Sequence, residues 1–319
     1  MPLGIRPIND MAFKKTFGTP ENKQCLISLL NAIVSRVSPI VDVTIQNPYN
    51  LKDFETDKLS ILDVKAIDQA GVIYDIEMQL TIFTGLVQRI VFYGCELYSS
   101  QLKEGVHYNR LHPVYSICLV DGVIWKDAVP VHHRFQLCDR NTDRVISETL
   151  EIHTLELGRY TLTESDLKTA SVLDCWLFWL LHAHEYETEE LLKLFPDAAF
   201  QQATRAITQI SLKTEDKAMY DAREKALRDY QSAISAALME GVEKGRAEGE
   251  LFGRAEGEAL GRAEGEKRGA LIGRIEVFQE ILGLAPIGSE AFRDLSTSDL
   301  EELAMNLQKS VRDRATPSS

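Results

Sequence analysis

The stretch from residue 58 to residue 120 constrains the fold more than any other part of the chain. Residues 58–67 and 72–80 have the composition of β-strands, and Asp68-Gln69-Ala70-Gly71 between them is typical of a turn, so a β-hairpin is predicted. A long helix is expected over residues 81–102, followed by a fully apolar, buried strand over residues 114–120. Because a helix between two strands usually returns the chain to the same sheet, this order predicts an α/β fold.

Helices and one strand are expected before the hairpin. A short helix over residues 9–17 begins at Asn9 or Asp10 as its N-cap. Thr19 caps a second helix that has Pro20 at its first position, and residues 40–45 are expected to form a strand. One face of the second helix should pack on the sheet, because its apolar residues recur at helical spacing: Leu26, Leu29, Leu30, Ile33, Val34 and Val37.

After the apolar strand, residues 129–137 and 150–157 are expected to add strands or extended arms. Beyond residue 160 the pattern becomes helical, over residues 165–170, 173–183, 187–194 and 215–239. A domain boundary is therefore predicted within about ten residues of position 160. A capped amphipathic helix is expected over residues 298–307.

Glycine occupies every fourth position from Gly241 to Gly273, nine glycines in all. Four residues advance an α-helix by about 400°, so the glycines drift by about 40° per repeat and form no fixed face. Each glycine also destabilises a helix by roughly 1 kcal/mol relative to alanine. Two interpretations stay open: a helix stabilised by self-association, or a solvated spacer. A membrane dimer motif is excluded because charged residues fill most intervening positions.

The cysteines and the apolar runs indicate a cytoplasmic protein without a membrane span. The five cysteines are odd in number, are widely spaced and include no CxxC pair, which favours a reducing compartment. The longest apolar run, residues 173–181, is too short to cross a bilayer, and the N-terminus lacks the pattern of a signal peptide.

Hydrolysis of a phosphodiester with Mg²⁺ requires hard oxygen ligands, usually carboxylates. The hairpin carries Asp63 in its first strand and Glu77 in its second. If the strands pair about a centre at Ala70, these two residues are directly opposite, roughly 5 Å apart at Cβ. A two-residue turn would place them on opposite faces, so a shared metal site requires an odd-length loop or a bulge. Such a pair is otherwise more often a solvated face.

Asp63 in one strand and Glu77-x-Gln79 in the next, before a long helix, resemble the core of the PD-(D/E)XK nucleases. More narrowly, the chain resembles the recombination-promoting nuclease (Rpn) family, often labelled putative transposase. The resemblance covers about residues 8–125, and the glycine-rich tail only in style. It is carried by NDMAFKKTFG, LISLLNAIV, the D…EMQ hairpin and the helix with Arg89, Tyr93 and Tyr98.

The resemblance implies a restriction-endonuclease-like core, with a mixed sheet flanked by helices, followed by a helical C-terminal region. The expected domains are a nuclease domain over residues 1–160, a helical extension over 161–239, the glycine repeat over 240–275, and a helical tail over 276–319.

The resemblance also implies a Mg²⁺-dependent DNA endonuclease, with Mn²⁺ as a substitute, in which Asp63 and Glu77 bind the metal. Gln79 stands where the broader pattern has lysine; it forms hydrogen bonds but brings no charge. Lys65, on the same face, is expected to supply the positive charge. Glu21 is the candidate for a helix-borne acidic residue, and Asp10 is a weaker candidate for the same role.

The net charge of −13 opposes a protein that binds DNA by electrostatics alone. Weak, salt-sensitive DNA binding is therefore expected, with a homodimer for double-strand cleavage. The alternative is a catalytically inactive, nuclease-derived module that binds DNA or protein. A strand-joining transposase is disfavoured because its wider set of acidic residues is missing. Basic residues gather near the N-terminus and the hairpin: Lys14, Lys15, Lys23, Lys58, Lys65 and Arg89.

Other candidate side chains have simpler interpretations. Arg89 either contacts phosphate or covers apolar surface with its stem, and the second is more common. Tyr93 and Tyr98 are expected to pack rather than stack on bases. The pairs His132-His133 and His182-x-His184 lack the acidic or cysteine partners of a zinc site and are interpreted as structural or surface residues.

Overall fold

The computed structural model describes residues 2–46, 63–104, 107–127, 130–146, 148–285, 287–288 and 290–315. Contacts between Cα atoms divide the chain into two compact units, Met1–Asp229 and Tyr230–Ser319. The domain boundaries expected at residues 160, 239 and 275 stay predictions. The part of the first strand predicted over residues 58–62 lies outside the described residues.

A six-stranded mixed sheet forms the centre of the first unit. Its spatial order is β1-β2-β3-β4-β6-β5. The pairs β1/β2, β2/β3 and β5/β6 are antiparallel, whereas β3/β4 and β4/β6 are parallel. The strands are β1 (Val43–Ile45), β2 (Asp63–Asp68), β3 (Ile73–Gln79), β4 (Val114–Val120), β5 (His132–Gln136) and β6 (Leu150–Glu156).

Helices cover both faces of this sheet, as the predicted α/β class requires. The long helix after the hairpin is the crossover that makes β4 parallel to β3, which confirms the predicted order of elements. The helices are α1 (Asp10–Phe17), α2 (Lys23–Val34), α3 (Leu86–Ser100), α4 (Val172–His182), α5 (Thr188–Leu194), α6 (Ala198–Leu212), α7 (Thr214–Leu282) and α8 (Thr297–Ala315).

The hairpin between β2 and β3 has the odd-length loop that a shared metal site requires. The amide of Asp68 donates to the carbonyl of Val72 at 3.0 Å, which leaves Gln69, Ala70 and Gly71 in the loop. Gly71 has φ +81°, and a Cβ there would lie 2.5 Å from the His112 ring. Only glycine fits this position without strain. The alternative of a two-residue turn is therefore wrong.

The larger apolar core lies on one face of the sheet, under α1, α2, α4 and α6. Aromatic residues form its centre: the rings of Phe17 and Trp176 are 5.5 Å apart. The predicted face of α2 is buried at five of its six positions, but Val37 is fully exposed. The expectation for Val37 is wrong because α2 ends at Val34, and Ser35 adopts a left-handed conformation with φ 48°.

Helix α3 covers the opposite face of the sheet. Leu86 and Ile90 pack there against Cys118 and Val120 of β4. The helix begins later than the predicted residue 81, because Gly85 before it has φ +95° and does not continue a right-handed helix.

Two further helical features differ from expectation. Helix α6 was not predicted, and half of its buried face is built from small or polar residues, Ala203, Thr204 and Ala206, which weaken the apolar pattern. The second helix was expected to begin at Pro20 with Thr19 as its cap. Residues Pro20–Asn22 instead form a 3₁₀ turn before α2, and the Thr19 side chain makes no capping hydrogen bond. Asn9 is the N-cap of α1, as one of the two predicted alternatives has it, and its side chain accepts from the amide of Met11.

In the second unit, α8 packs on the end of α7. Ile275, Phe292, Leu300 and Ala304 form a small buried cluster. Helix α8 is capped, as predicted. The Ser296 hydroxyl donates to the carboxylate of Asp299 and accepts from the Asp299 amide. All nine repeat glycines lie within α7, and a Cβ at any of them would meet nothing within 4 Å. In the described part of the chain, no helix combines the length and apolar character that crossing a membrane requires.

Candidate active site

The hairpin brings the two predicted metal-binding positions opposite each other. In the β2/β3 pairing, Asp63 is opposite Glu77 and Lys65 is opposite Asp75. Paired positions on neighbouring strands belong to the same face, so these four positions share the face that α3 covers. The predicted register, centred on Ala70, is confirmed.

The acidic side chains of β3 are buried. Glu77 is 5% exposed and Asp75 only 1%. Asp75 is therefore not a surface charge, although an isolated aspartate on a strand usually is. On β4, Ser116 pairs with Asp75 and is also buried. This face of the sheet thus combines two buried carboxylates with small polar neighbours, an arrangement that needs a cation or hydrogen-bond donors for compensation.

Arg89 of α3 provides part of that compensation. Its Nη2 donates to Oε2 of Glu77 at 3.3 Å and to Oε1 of Gln79 at 3.1 Å. The guanidinium carbon lies 5.3 Å from the centre of the Phe83 ring and 5.7 Å from that of Tyr93. The guanidinium thus joins Glu77 and Gln79 of β3, a role beyond apolar cover, and contact with phosphate stays a prediction.

Gln79 is held at both ends of its amide. Its oxygen accepts from Arg89, and its nitrogen donates to the carbonyl of Thr81 at 2.9 Å. Lys65, opposite Asp75, is half-buried. Gln79 therefore lies on the same face as Glu77 with its orientation fixed, while Lys65 belongs to that face through its position on β2.

The two candidate acidic residues near the N-terminus have other surroundings. Glu21 lies in the 3₁₀ turn before α2 with an exposed side chain, and its carbonyl accepts from Gln202 at 2.6 Å. Asp10 accepts from the amide of Met11 and lies 3.6 Å from Arg223. Burial raises the pKa of Asp10, and the neighbouring Arg223 opposes this shift. The structure does not bring Glu21 into contact with the hairpin through any described hydrogen bond or ion pair.

Two of the basic residues expected to attract DNA form ion pairs with aspartates of the protein. Lys15 forms a close ion pair with Asp216, and Lys23 lies 2.6 Å from Asp42. These two lysines therefore form ion pairs within the protein.

The donor types at the hairpin suit a divalent cation such as Mg²⁺. Carboxylates at positions 63, 75 and 77 and the amide oxygen of Gln79 are hard oxygen donors. Among the described side chains, no group of three or more His, Cys, Asp or Glu residues is placed to hold a metal. The side chain of Asp63 lies outside that set, so the fit rests on donor chemistry, on the register and on the burial of Glu77 and Asp75.

Among the described residues, no histidine belongs to a group of three or more possible metal ligands. His132, however, has an acidic residue within its network. A ring nitrogen of His132 lies 2.7 Å from His153, whose other nitrogen lies 2.7 Å from Glu151. This network is on the opposite face of the sheet from Glu77, since His153 pairs with Ile117 and Ile117 pairs with Ile76.

A mixed sheet whose hairpin presents an acidic pair, joined by a crossover helix to a parallel strand, defines the PD-(D/E)XK class of nuclease fold. The family model described as PD-(D/E)XK nuclease family transposase matches residues 7–237. The chain belongs to this family, which confirms the predicted PD-(D/E)XK assignment and the fold class; the narrower resemblance to the Rpn family stays a prediction. Nucleases of this class generally use divalent metals. No curated protein and no solved structure matches the chain.

Sequence reasoning did not identify Arg89 as a partner of Glu77 and Gln79. The available signal was its position in the first turn of the crossover helix, ten residues after Gln79. A crossover helix runs back over the strand that precedes it, so its first turn lies near the end of that strand. An arginine there can reach polar side chains at the strand end.

Proposed function

We propose that the protein is a divalent-metal-dependent endonuclease that hydrolyses phosphodiester bonds of DNA. The observation that carries this proposal is the register of the hairpin, which sets Asp63 opposite the buried Glu77 on one face of the sheet. Mg²⁺ is the expected ion and Mn²⁺ its substitute.

Asp63 and Glu77 would hold the ion, which when bound activates a water and neutralises charge on the phosphate. The side chain of Glu77 is fixed by Arg89, and that of Gln79 by Arg89 and Thr81. Fixed side chains lose little rotamer entropy when substrate binds, so this part of the site is preorganised. Lys65 is proposed to contribute positive charge from β2, and Glu21 and Asp10 remain candidates for a further acidic role.

The substrate is proposed to be DNA, bound weakly and in a salt-sensitive way because the chain carries a net charge of −13. Hydrolysis, rather than strand joining, is the proposed reaction, and it would serve recombination or defence against foreign DNA in the manner of the Rpn family. Cutting both strands needs two sites, so we propose a homodimer. The five free cysteines favour the cytoplasm.

A second function is favoured by one observation. The ion pair between Arg89 and Glu77, at 3.3 Å, neutralises a carboxylate that a metal site needs. A nuclease-derived module that binds DNA or protein without metal would retain such a pair as a structural bridge.

Nicking of supercoiled plasmid by the purified protein distinguishes the two functions. The proposed nuclease converts plasmid to the nicked form with Mg²⁺ or Mn²⁺, and loses this activity on chelation and in the isosteric variants Asp63→Asn and Glu77→Gln. Glu189→Gln, at an exposed position of α5, is the matched control for charge loss. Absence of cleavage with both metals, with DNA binding retained, would favour the binding module; undiminished cleavage by both hairpin variants would mean that the site is elsewhere.

A further inference from the structure

The nuclease pattern places a lysine where this chain has Gln79, so the site on β3 lacks its own positive charge. The positively charged guanidinium of Arg89 nevertheless lies next to Gln79. Nη2 of Arg89 is 3.1 Å from the Gln79 oxygen and 3.3 Å from Glu77. The positive charge beside Gln79 is therefore provided by helix α3 and not by strand β3.

The guanidinium is held in place by its surroundings. Its carbon lies over the rings of Phe83 and Tyr93, at 5.3 and 5.7 Å from their centres. Cations over aromatic faces are attracted by the ring quadrupole, and arginine keeps its charge at any physiological pH. A quarter of the Arg89 side chain remains exposed, so the residue is held in place without being fully buried.

We propose that Arg89 is the positioning residue of this site: it orients Glu77 and Gln79 and supplies the positive charge that Gln79 cannot. This inference rests on the proposed nuclease for its effect on cleavage, but its effect on metal binding does not depend on cleavage. It assigns to Arg89 a role that the sequence reasoning gave to Lys65.

Two opposite effects follow from this role. Because Arg89 pairs with Glu77, it competes with a divalent cation for that carboxylate, and its neutral replacement should tighten metal binding. The same replacement removes the charge and leaves Gln79 unfixed, so cleavage should slow. A residue that only stabilises the fold would weaken both properties together when replaced.

The experiment compares Arg89→Met, which keeps the length of the side chain without its charge, with Arg89→Lys, which keeps the charge without the planar fork. Affinity for Ca²⁺ is measured by calorimetry in the absence of DNA, and single-turnover nicking is measured separately with Mg²⁺. Arg134→Met is the matched control, because Arg134 pairs with Glu151 on the opposite face of the sheet. Lys65→Met tests the competing assignment of the charge.

Arg89→Met is expected to bind Ca²⁺ about tenfold more tightly and to nick about a hundredfold more slowly. Arg89→Lys should bind Ca²⁺ as the wild type does and nick at an intermediate rate. Arg134→Met should change neither. Unchanged or weaker Ca²⁺ affinity in Arg89→Met, with tryptophan fluorescence and melting as in the wild type, would overturn the inference. The same opposed changes in Lys65→Met, and not in Arg89→Met, would assign the role to Lys65.

The proposed function and this inference fail in different ways. If the wild type binds Ca²⁺ and never cleaves, the nuclease proposal fails, while tighter binding by Arg89→Met still supports the orientation of Glu77 by Arg89. If the wild type cleaves and Arg89→Met cleaves equally fast, the nuclease stands and the role of Arg89 is refuted.

Discussion

At the scale of single residues, Asp68 determines where the acidic pair meets. One carboxylate oxygen accepts from the amides of Ala70 and Val72, at 2.8 and 2.9 Å, and so fixes the loop. The other accepts from Arg36 at 2.6 Å and from the Tyr74 hydroxyl at 3.0 Å. The side chain is fully buried. A loop held in this way sets the register of β2 on β3, and the register places Asp63 opposite Glu77.

Asp68→Ala is therefore expected to lower the free energy of unfolding by about 3 kcal/mol, because it leaves buried amides and Arg36 without their partner. Asp68→Asn, which keeps the acceptor oxygen, should cost less. Urea unfolding followed by tryptophan fluorescence measures both, since all three tryptophans lie within residues 125–179. Asp229→Ala, at an exposed helical position, serves as the control. A loss in Asp68→Ala no larger than in this control would contradict the role of Asp68.

The network of His132, His153 and Glu151, on the face of the sheet opposite Glu77, predicts a loss of stability in acid. Burial, with the neighbouring His153, lowers the pKa of His132 from 6.5 to about 4. Burial alone would raise the pKa of Glu151, but hydrogen bonds from His153, Arg134 and Gln136 outweigh it and lower the pKa from 4.5 to about 2. The unfolded chain therefore takes up protons that the folded protein excludes, first at His132 and then at Glu151.

Stability should consequently be complete above pH 6.5 and fall as the pH drops toward the His132 pKa of about 4. It should fall further through the range between the ordinary and the lowered pKa of Glu151. The midpoint of urea unfolding across this range measures the slope. His132→Gln is expected to flatten the upper part of the curve, whereas the exposed His107→Gln should leave it unchanged. Equal slopes in wild type and His132→Gln would refute this origin.

That Asp63 and Glu77 can lie opposite each other was predictable because strand alternation and loop length are local properties, whereas their choice as metal ligands came from the resemblance to the nuclease family. Asp63 and Glu77 are related by one hairpin, so the register followed once an odd-length loop was assumed. The partners of Glu77 and His132 were not predicted, because Arg89 lies on the crossover helix and His153 on a separate strand. Such contacts depend on packing between elements, which no local pattern records.

At the scale of elements, the chain uses glycine in two opposed ways. Gly94 lies where α3 crosses the sheet, and a Cβ there would come within 2.9 Å of Leu150. The repeat glycines of α7, such as Gly253, Gly257 and Gly261, have open space at the same position. Ion pairs four residues apart, including Arg254 with Glu258, offset part of the cost of these glycines.

Replacing Gly253, Gly257 and Gly261 together by alanine should therefore stabilise the helix by about 1 kcal/mol per site. The expected result is stronger helical circular dichroism and a higher melting temperature of the repeat segment in the full chain. Gly94→Ala should do the opposite, because the added methyl group crowds Leu150. A drop in helicity on the triple replacement would show that the glycines contact a partner or adopt a conformation that alanine cannot.

At the scale of the whole molecule, the family match ends at residue 237, close to the boundary between the two compact units at residue 229. The repeat and the tail thus lie outside the part that the nuclease family defines. We propose that this C-terminal segment sets the geometry of assembly between two catalytic domains, or the reach between them.

A chain that ends at Met239 is expected to keep its fold and its nicking of single strands, because the hairpin and its core lie within the first unit. Its assembly state should change, and the ratio of double-strand breaks to nicks should fall. Light scattering coupled to size exclusion measures the first property, and plasmid linearisation the second. Unchanged assembly and unchanged linearisation would refute a role for the tail in either.

The central claim is that Asp63 and Glu77 act as one metal-binding unit, and a double-mutant cycle tests it most directly. Single-turnover nicking is measured for Asp63→Asn, Glu77→Gln and the double variant, each with confirmed folding. Residues that hold the same ion lose most of its effect in either single variant, so the double variant should be no slower than the slower single one. Rate losses that multiply in the double variant would mean that the two residues act independently, and the shared metal site would be contradicted.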